Sequence, residues 1–162
     1  MHLLVVAVLA LLAALWQCGP LALWPVAPDL SAALAACLVV RTENHRLLLN
    51  LWVIGLIRDV VDPAATIVYA ILFIVAAVGL IGADQRLRGL GLARVPVIAA
   101  ILALGLRLAE IWWAGLGAET PQGLLLRTLL TAAVASGLFI LMGSGRSSAP
   151  IRVRSVRTAV VE

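Results

Sequence analysis

The sequence predicts an all-α protein, a polytopic transmembrane bundle of about six helices. Composition is the first reason. Of the 162 residues, 64% are hydrophobic and 12% are charged, whereas soluble domains carry about 45–50% apolar and about 25% charged residues. A domain of this size leaves much of its surface exposed, so this composition favours lipid as the surrounding medium. The second reason is that the apolar residues fall into six runs with short polar or proline-containing segments between them.

The six runs differ in length, and a spanning helix needs about 20 residues. The last three runs fall in the spanning range, and the first reaches it if it extends through Cys18. The second and third runs are short, which leaves open a count of five helices with one re-entrant hairpin. The runs are Leu3 to Trp16, Leu30 to Val40, Leu47 to Val61, Thr66 to Ala83, Val95 to Trp113 and Leu124 to Met142.

Prolines and glycines mark the boundaries of these runs. Gly19-Pro20 follows the first run, and Asp62-Pro63 ends the third. Pro96 falls in the first turn of the fifth helix, where a missing N–H costs little. No arginine or lysine precedes the first run, and Trp16 and Gln17 stand where signal cleavage needs small residues. We therefore expect a retained helix, and we assign residues 1–142 to the membrane domain.

Arginine placement predicts the orientation, since this chain contains no lysine. Arginines occur between runs two and three, between runs four and five, and after run six. The positive-inside rule then places both termini in the cytoplasm, with residues 143–162 as a mobile basic tail. The expected lipid or cytoplasmic contacts are Arg86, Arg88, Arg152, Arg154 and Arg157. Four tryptophans fall at the opposite interface, as an aromatic belt would: Trp16, Trp24, Trp112 and Trp113.

The remaining ionisable residues gather toward the predicted outer face. Arg107 and Glu110 are three residues apart and share one helix face. Because charges inside a membrane are costly, such a pair is either a functional site or a structural ion pair, and both readings stay open. For Arg58 and Asp59, extension of the side chains to the surface at a helix end is favoured. The candidate partner-binding residues are Asp29, Arg58, Asp59, Arg107 and Glu110.

Several function classes find no support in the residues. There is no phosphate-binding G-x-x-x-x-G-K-[ST] loop, no H-E-x-x-H motif and no evident Ser, His and Asp set. Cys18 and Cys37 form no close pair, and the two histidines lack nearby cysteines, so we expect no metal site. The arginines are not interleaved with aromatic residues that could stack on bases, so we expect no nucleic-acid partner. The sequence predicts a non-enzymatic protein without catalytic residues or cofactor.

Short segments along the chain carry a family resemblance. Pro28-Asp29-Leu30 opens the second run and resembles the Arg-Pro-Asp-Leu region of the MreD family of bacterial rod shape-determining membrane proteins. Arg41 to Arg46 form a basic loop that resembles the short basic loop of that family. Gly55-Leu56-Ile57-Arg58-Asp59, near the end of the third run, resembles its Gly-Leu-Leu-Leu-Asp segment, and Ala109-Glu110, in the fifth run, resembles its fifth-helix acid. The chain departs from that family at Arg58, where an apolar residue is expected.

The resemblance implies a scaffold or adaptor in the machinery that elongates the cell wall. Members of that family work beside MreC, a membrane-anchored protein with an external body, and are linked to the MreB filament and to wall-synthesis enzymes. An outer polar face would then dock the external partner, while membrane lipids surround the helices. The alternative is a substrate-binding component of an energy-coupling vitamin transporter, a class similar in size, helix number and fold. In that case the same outer residues would line a ligand pocket.

Overall fold

The computed structural model describes residues 3–24, 26–42, 44–62, 68–114 and 120–142, and all regular structure within these ranges is helical. The predicted all-α class and the six helices are thereby confirmed for the described chain. The basic tail, with Arg152, Arg154 and Arg157, lies outside the described residues. The helices are α1 Leu3–Cys18, α2 Leu30–Arg41, α3 Asn44–Val61, α4 Val68–Arg88, α5 Arg94–Ala114 and α6 Pro121–Leu141.

Three helical segments are long and apolar enough to cross a membrane by length and composition. They are Leu3–Leu23, Arg94–Trp112 and Pro121–Leu141. The fourth run was expected to reach spanning length, but its apolar helix extends over Val68–Gly82 only within the described chain. The second run forms a short apolar helix, Leu30–Arg41, as expected.

The short helix α2 occupies the centre of the bundle. It packs against α1, α3, α5 and α6, and every residue from Ser31 to Leu38 is buried. A helix that is covered on all sides needs small or apolar side chains around its whole circumference. The alanines of α2 meet this need because they allow neighbouring backbones to approach closely. The remaining helix, α4, packs mainly against α3 and also contacts α5.

The exterior of the bundle is strongly apolar. Large side chains such as Leu4, Ile71, Val75, Leu125 and Ile140 are more than half exposed. Soluble monomers rarely expose contiguous apolar patches larger than a few hundred Å². The buried polar residues include Asp29 and Arg58, so this molecule encloses charged groups within a largely apolar core while its exterior is apolar. That distribution suits a lipid environment.

Helices α3 and α4 meet at Gly55. A Cβ atom built on Gly55 would lie 2.6 Å from both Ala70 Cα and Tyr69 O of α4. Both of these are backbone atoms, which cannot rotate away as the end of a long side chain could. Glycine at position 55 is therefore what permits this close approach.

We predict that Gly55→Ala destabilises the fold, because the added methyl group meets the α4 backbone. Overpacking of this kind costs about 1–3 kcal/mol. The control is Gly79→Ala on α4, where a Cβ would meet nothing within 4 Å and where alanine favours helix formation. Thermal unfolding of the detergent-solubilised proteins, followed by circular dichroism, measures both. A Gly55→Ala variant as stable as Gly79→Ala would contradict the close approach.

Candidate functional site

Arg58 is the centre of a buried network of charged side chains that joins three helices. Its Nη1 donates to Asp29 Oδ2, at the start of α2, over 2.7 Å. Its Nη2 donates to Glu110 Oε1, on α5, over 2.9 Å. The side chains of Arg58, Asp29 and Glu110 are 8%, 9% and 13% exposed. Removing these charges from water is costly, and their mutual hydrogen bonds offset that cost. We call these three residues, with Arg107 and Tyr69, the Arg58 network.

Glu110 receives the largest number of side-chain donors in this network. Besides Arg58, the Tyr69 hydroxyl donates to Oε1 over 2.6 Å. Arg107 Nη1 donates to Oε2 over 2.8 Å, which confirms the predicted pairing of Arg107 with Glu110. The guanidinium carbon of Arg58 also lies 4.0 Å from the centroid of the Tyr69 ring, within the range of a cation–π interaction. Glu110 thereby links α3, α4 and α5.

Asp29 fixes the beginning of α2. Its Oδ1 accepts a hydrogen bond from Ala32 N over 2.9 Å, as an N-terminal helix cap does. Its own backbone N–H donates to Thr131 Oγ1 of α6 over 2.8 Å. The Thr131 hydroxyl in turn donates to the carbonyl of Arg127 over 2.8 Å. One aspartate therefore ties the N-terminus of α2 to both α3 and α6.

Asp29 lies deeper in the bundle than the expected outer position. Its partner Thr131 is the middle residue of the 21-residue helix α6. At 1.5 Å per residue, α6 is about 31 Å long and Thr131 lies about 15 Å from either end. The reason is the length of α2, whose 12 residues cover only about 18 Å. The helix therefore begins part-way along the bundle rather than at its edge.

Asp59 does not pair with Arg58 in the observed contacts. Its carboxylate accepts hydrogen bonds from Tyr69 N over 3.0 Å and Ala70 N over 2.9 Å, in the first turn of α4. A negative charge at a helix N-terminus is favourable because the N–H groups there lack helical partners. Neighbouring residues on a helix point in different directions, so Arg58 turns into the bundle while Asp59 caps α4. Arg58 is thus buried rather than extended to the surface.

Two members of this region were missed by the sequence analysis. Tyr69 is the only tyrosine in the chain and lies one residue inside the start of α4. A buried tyrosine generally needs a partner for its hydroxyl, and this was the available signal. Thr131 gave no comparable signal, because a threonine within an apolar helix commonly bonds its own backbone.

The opposite end of the bundle is basic. Arg41, the last residue of α2, donates to the carbonyls of Met142 and Phe139 at 2.9 and 3.1 Å. It therefore satisfies carbonyl groups at the end of α6, where helical partners run out. Arg86 is exposed near the end of α4, and Arg88 is the last residue of that helix. Contact of these two arginines with lipid stays a prediction.

The chemistry available to the Arg58 network is electrostatic. Two carboxylates and two guanidiniums bond one another. Among the described residues, no group of three or more His, Cys, Asp or Glu side chains is placed to hold a metal ion. Cys18 is exposed and Cys37 is buried, and both are free thiols. Comparison of the chain with protein-family models, with curated proteins and with solved structures finds no match.

We predict that Arg58→Leu lowers the free energy of unfolding by about 3–5 kcal/mol, the usual cost of removing one partner from a buried ion pair. In this variant Glu110 keeps its ion pair with Arg107, whereas Asp29 loses the ion pair with Arg58. Adding Asp29→Asn should therefore recover part of the loss, since asparagine also caps helices. Thermal unfolding in detergent, followed by circular dichroism, measures both variants.

The matched control for this experiment is Arg86→Leu. Arg86 is exposed at the basic end, so its loss should leave the unfolding transition nearly unchanged. If Arg58→Leu behaved like Arg86→Leu, the network would not hold the helices together. If Asp29→Asn deepened the loss instead of reducing it, the uncompensated aspartate would not be the cause.

Proposed function

We propose that this chain is a non-enzymatic scaffold of the cell-wall elongation complex, similar to the MreD family, with six helical segments in the bacterial cytoplasmic membrane. The apolar exterior and the enclosure of charged side chains in the interior support a membrane location. The basic end would face the cytoplasm, so that exposed arginines such as Arg46 and Arg86 meet anionic headgroups. Both termini would then be cytoplasmic, and the end where α1, α3 and α5 finish would face outward.

The observation that carries this proposal is the convergence of segments that resemble the family. Pro28-Asp29-Leu30, Gly55 to Asp59 and Ala109-Glu110 are far apart in sequence. In the fold, Asp29 and Glu110 each bond Arg58 directly, and Gly55 forms the crossing of α3 with α4. Segments that resemble the family thus meet in one physical unit, and Arg58, at which the chain departs from the family, is the residue that joins Asp29 to Glu110.

The role we propose for the candidate partner-binding residues is indirect. Asp29 and Glu110 are nearly buried and both bond the nearly buried Arg58, so the three residues are poorly placed to touch an external protein. They instead hold the helix ends that would form the docking surface for an MreC-like partner. That outward end also exposes Trp16, Trp24 and Trp112, a residue type common at interfaces and at membrane boundaries.

The alternative function, a vitamin-type substrate-binding component, would use the same charged residues as the wall of a pocket. These residues bond one another at 2.7 to 2.9 Å. A polar ligand would have to displace at least one of these charge-assisted bonds. No contact in the described chain specifically favours this alternative, which becomes one outcome of the test below.

We expect affinity purification of the tagged chain from its native membranes, in mild detergent, to recover an external membrane-anchored partner together with wall-synthesis enzymes. Mass spectrometry identifies the proteins. Gly55→Ala should reduce recovery because it disturbs the α3–α4 crossing, whereas Gly79→Ala should leave recovery unchanged. Recovery of paired ATPases with a coupling membrane subunit would contradict the scaffold and support vitamin transport.

A further inference from the structure

Helix α2 is a half-length helix whose N-terminus lies in the middle of the bundle. Its C-terminal residue Arg41 contacts the end of α6 through Met142. Its N-terminal cap Asp29 contacts the midpoint of α6 through Thr131. The helix therefore fills only the basic half of the bundle centre, alongside the second half of α6.

The chain between α1 and α2 must therefore run along the other, outward half of the bundle. After Cys18, a short 3₁₀ turn over Pro20–Leu23 leads to Trp24, which is exposed. Residues 26–28 then run without helical structure, and each is half-buried, before Asp29 becomes buried. Residues 26–29 thus descend from the outward side, where Trp24 is exposed, to the middle of the bundle. We call residues 26–29 the descending segment.

Irregular backbone at this depth costs free energy in a membrane protein. Its N–H and C=O groups have no helical partners, and lipid offers none. Such backbone is tolerated where it is enclosed by protein or where it lines a water-filled cavity. The half-buried state of residues 26–28 means that protein encloses them only in part.

Ser31 provides an independent indication of water at the same place. It is the second residue of α2, and it is 1% exposed. Its Oγ has no hydrogen-bond partner among the described residues. Side chains in a helix tilt toward its N-terminus, so this hydroxyl is directed toward the end of α2 that Asp29 caps. A buried hydroxyl without a partner is costly unless water or a polar solute reaches it.

We propose that the outward half of the bundle is a hydrophilic inlet through which water and small ions reach the Arg58 network along the descending segment. This inference rests on the membrane location proposed above. The inlet ends at the N-terminus of α2, where Asp29 and Arg58 form its floor. Water and small ions from the outer solution would then reach the buried charges without crossing lipid.

The test is the labelling of single cysteines in lipid nanodiscs, which expose both membrane faces. Cys18→Ser and Cys37→Ala remove the native thiols. Ala27→Cys then reports on the descending segment, and Leu126→Cys is the control. Leu126 is 48% exposed on α6 and lies about 7 Å outward of Thr131 along the helix. Ala27, two residues before Asp29, lies at a similar depth, at most about 7 Å outward of it. The probe is the small anionic reagent sulfonatoethyl methanethiosulfonate.

We expect Ala27→Cys to react at least about tenfold faster than Leu126→Cys, because a charged reagent is excluded from hydrocarbon. N-ethylmaleimide after denaturation counts the total thiol in each variant. If neither cysteine reacts with the anionic reagent while both react after denaturation, the inlet is overturned and the membrane location stands. If both react equally fast in the folded protein, lipid does not cover α6, and the membrane location is overturned together with the inlet. Val26→Cys, also half-buried, replaces Ala27→Cys should the latter fail to fold.

Discussion

The arrangement of the helices depends on the ion pairs that the Arg58 guanidinium makes. It extends from α3, bonds Asp29 at the start of α2 and Glu110 on α5, and lies over the Tyr69 ring of α4. In an environment of low dielectric constant, separating these groups would leave charges without compensation. The helices can therefore exchange neighbours or shift along one another only by breaking several charge-assisted hydrogen bonds together. Apolar packing in lipid does not provide comparable directional specificity, because lipid and leucine are similarly apolar.

The position of α4 follows from two further constraints on the same stretch of α3. Gly55 lets the α4 backbone come into direct contact, and Asp59, one turn later, accepts hydrogen bonds from the first N–H groups of α4. These contacts place Tyr69 so that its hydroxyl reaches Glu110. A segment of five residues, Gly55 to Asp59, thus supplies the close approach, the central cation and the helix cap. These three roles explain why the third helix carries charged residues at the end of an apolar run.

The half-length of α2 has the largest consequence for function. Because this helix begins at the middle of α6, its cap and the Arg58 side chain occupy the interior rather than a rim. A partner that docks at the outward end would meet helix ends and tryptophans, while the network beneath holds those ends in position. With this geometry, the hydrophilic inlet and the docking surface would lie at the same end of the molecule. An external partner bound there could cover the inlet.

The sequence by itself determined the helical class, the helix order and the pairing of Arg107 with Glu110, because these depend on composition and on spacing along one helix. It also singled out Asp29, Arg58, Arg107 and Glu110, which the fold brings together. The tertiary structure alone decided that Arg58 bonds Asp29 and Glu110 while Asp59 caps α4, since a helix can turn neighbouring side chains toward different partners. It also decided the depth of Asp29, which depends on where α2 lies against Thr131. Sequence spacing fixes distance along a chain, whereas contacts between segments more than 100 residues apart depend on how the helices pack.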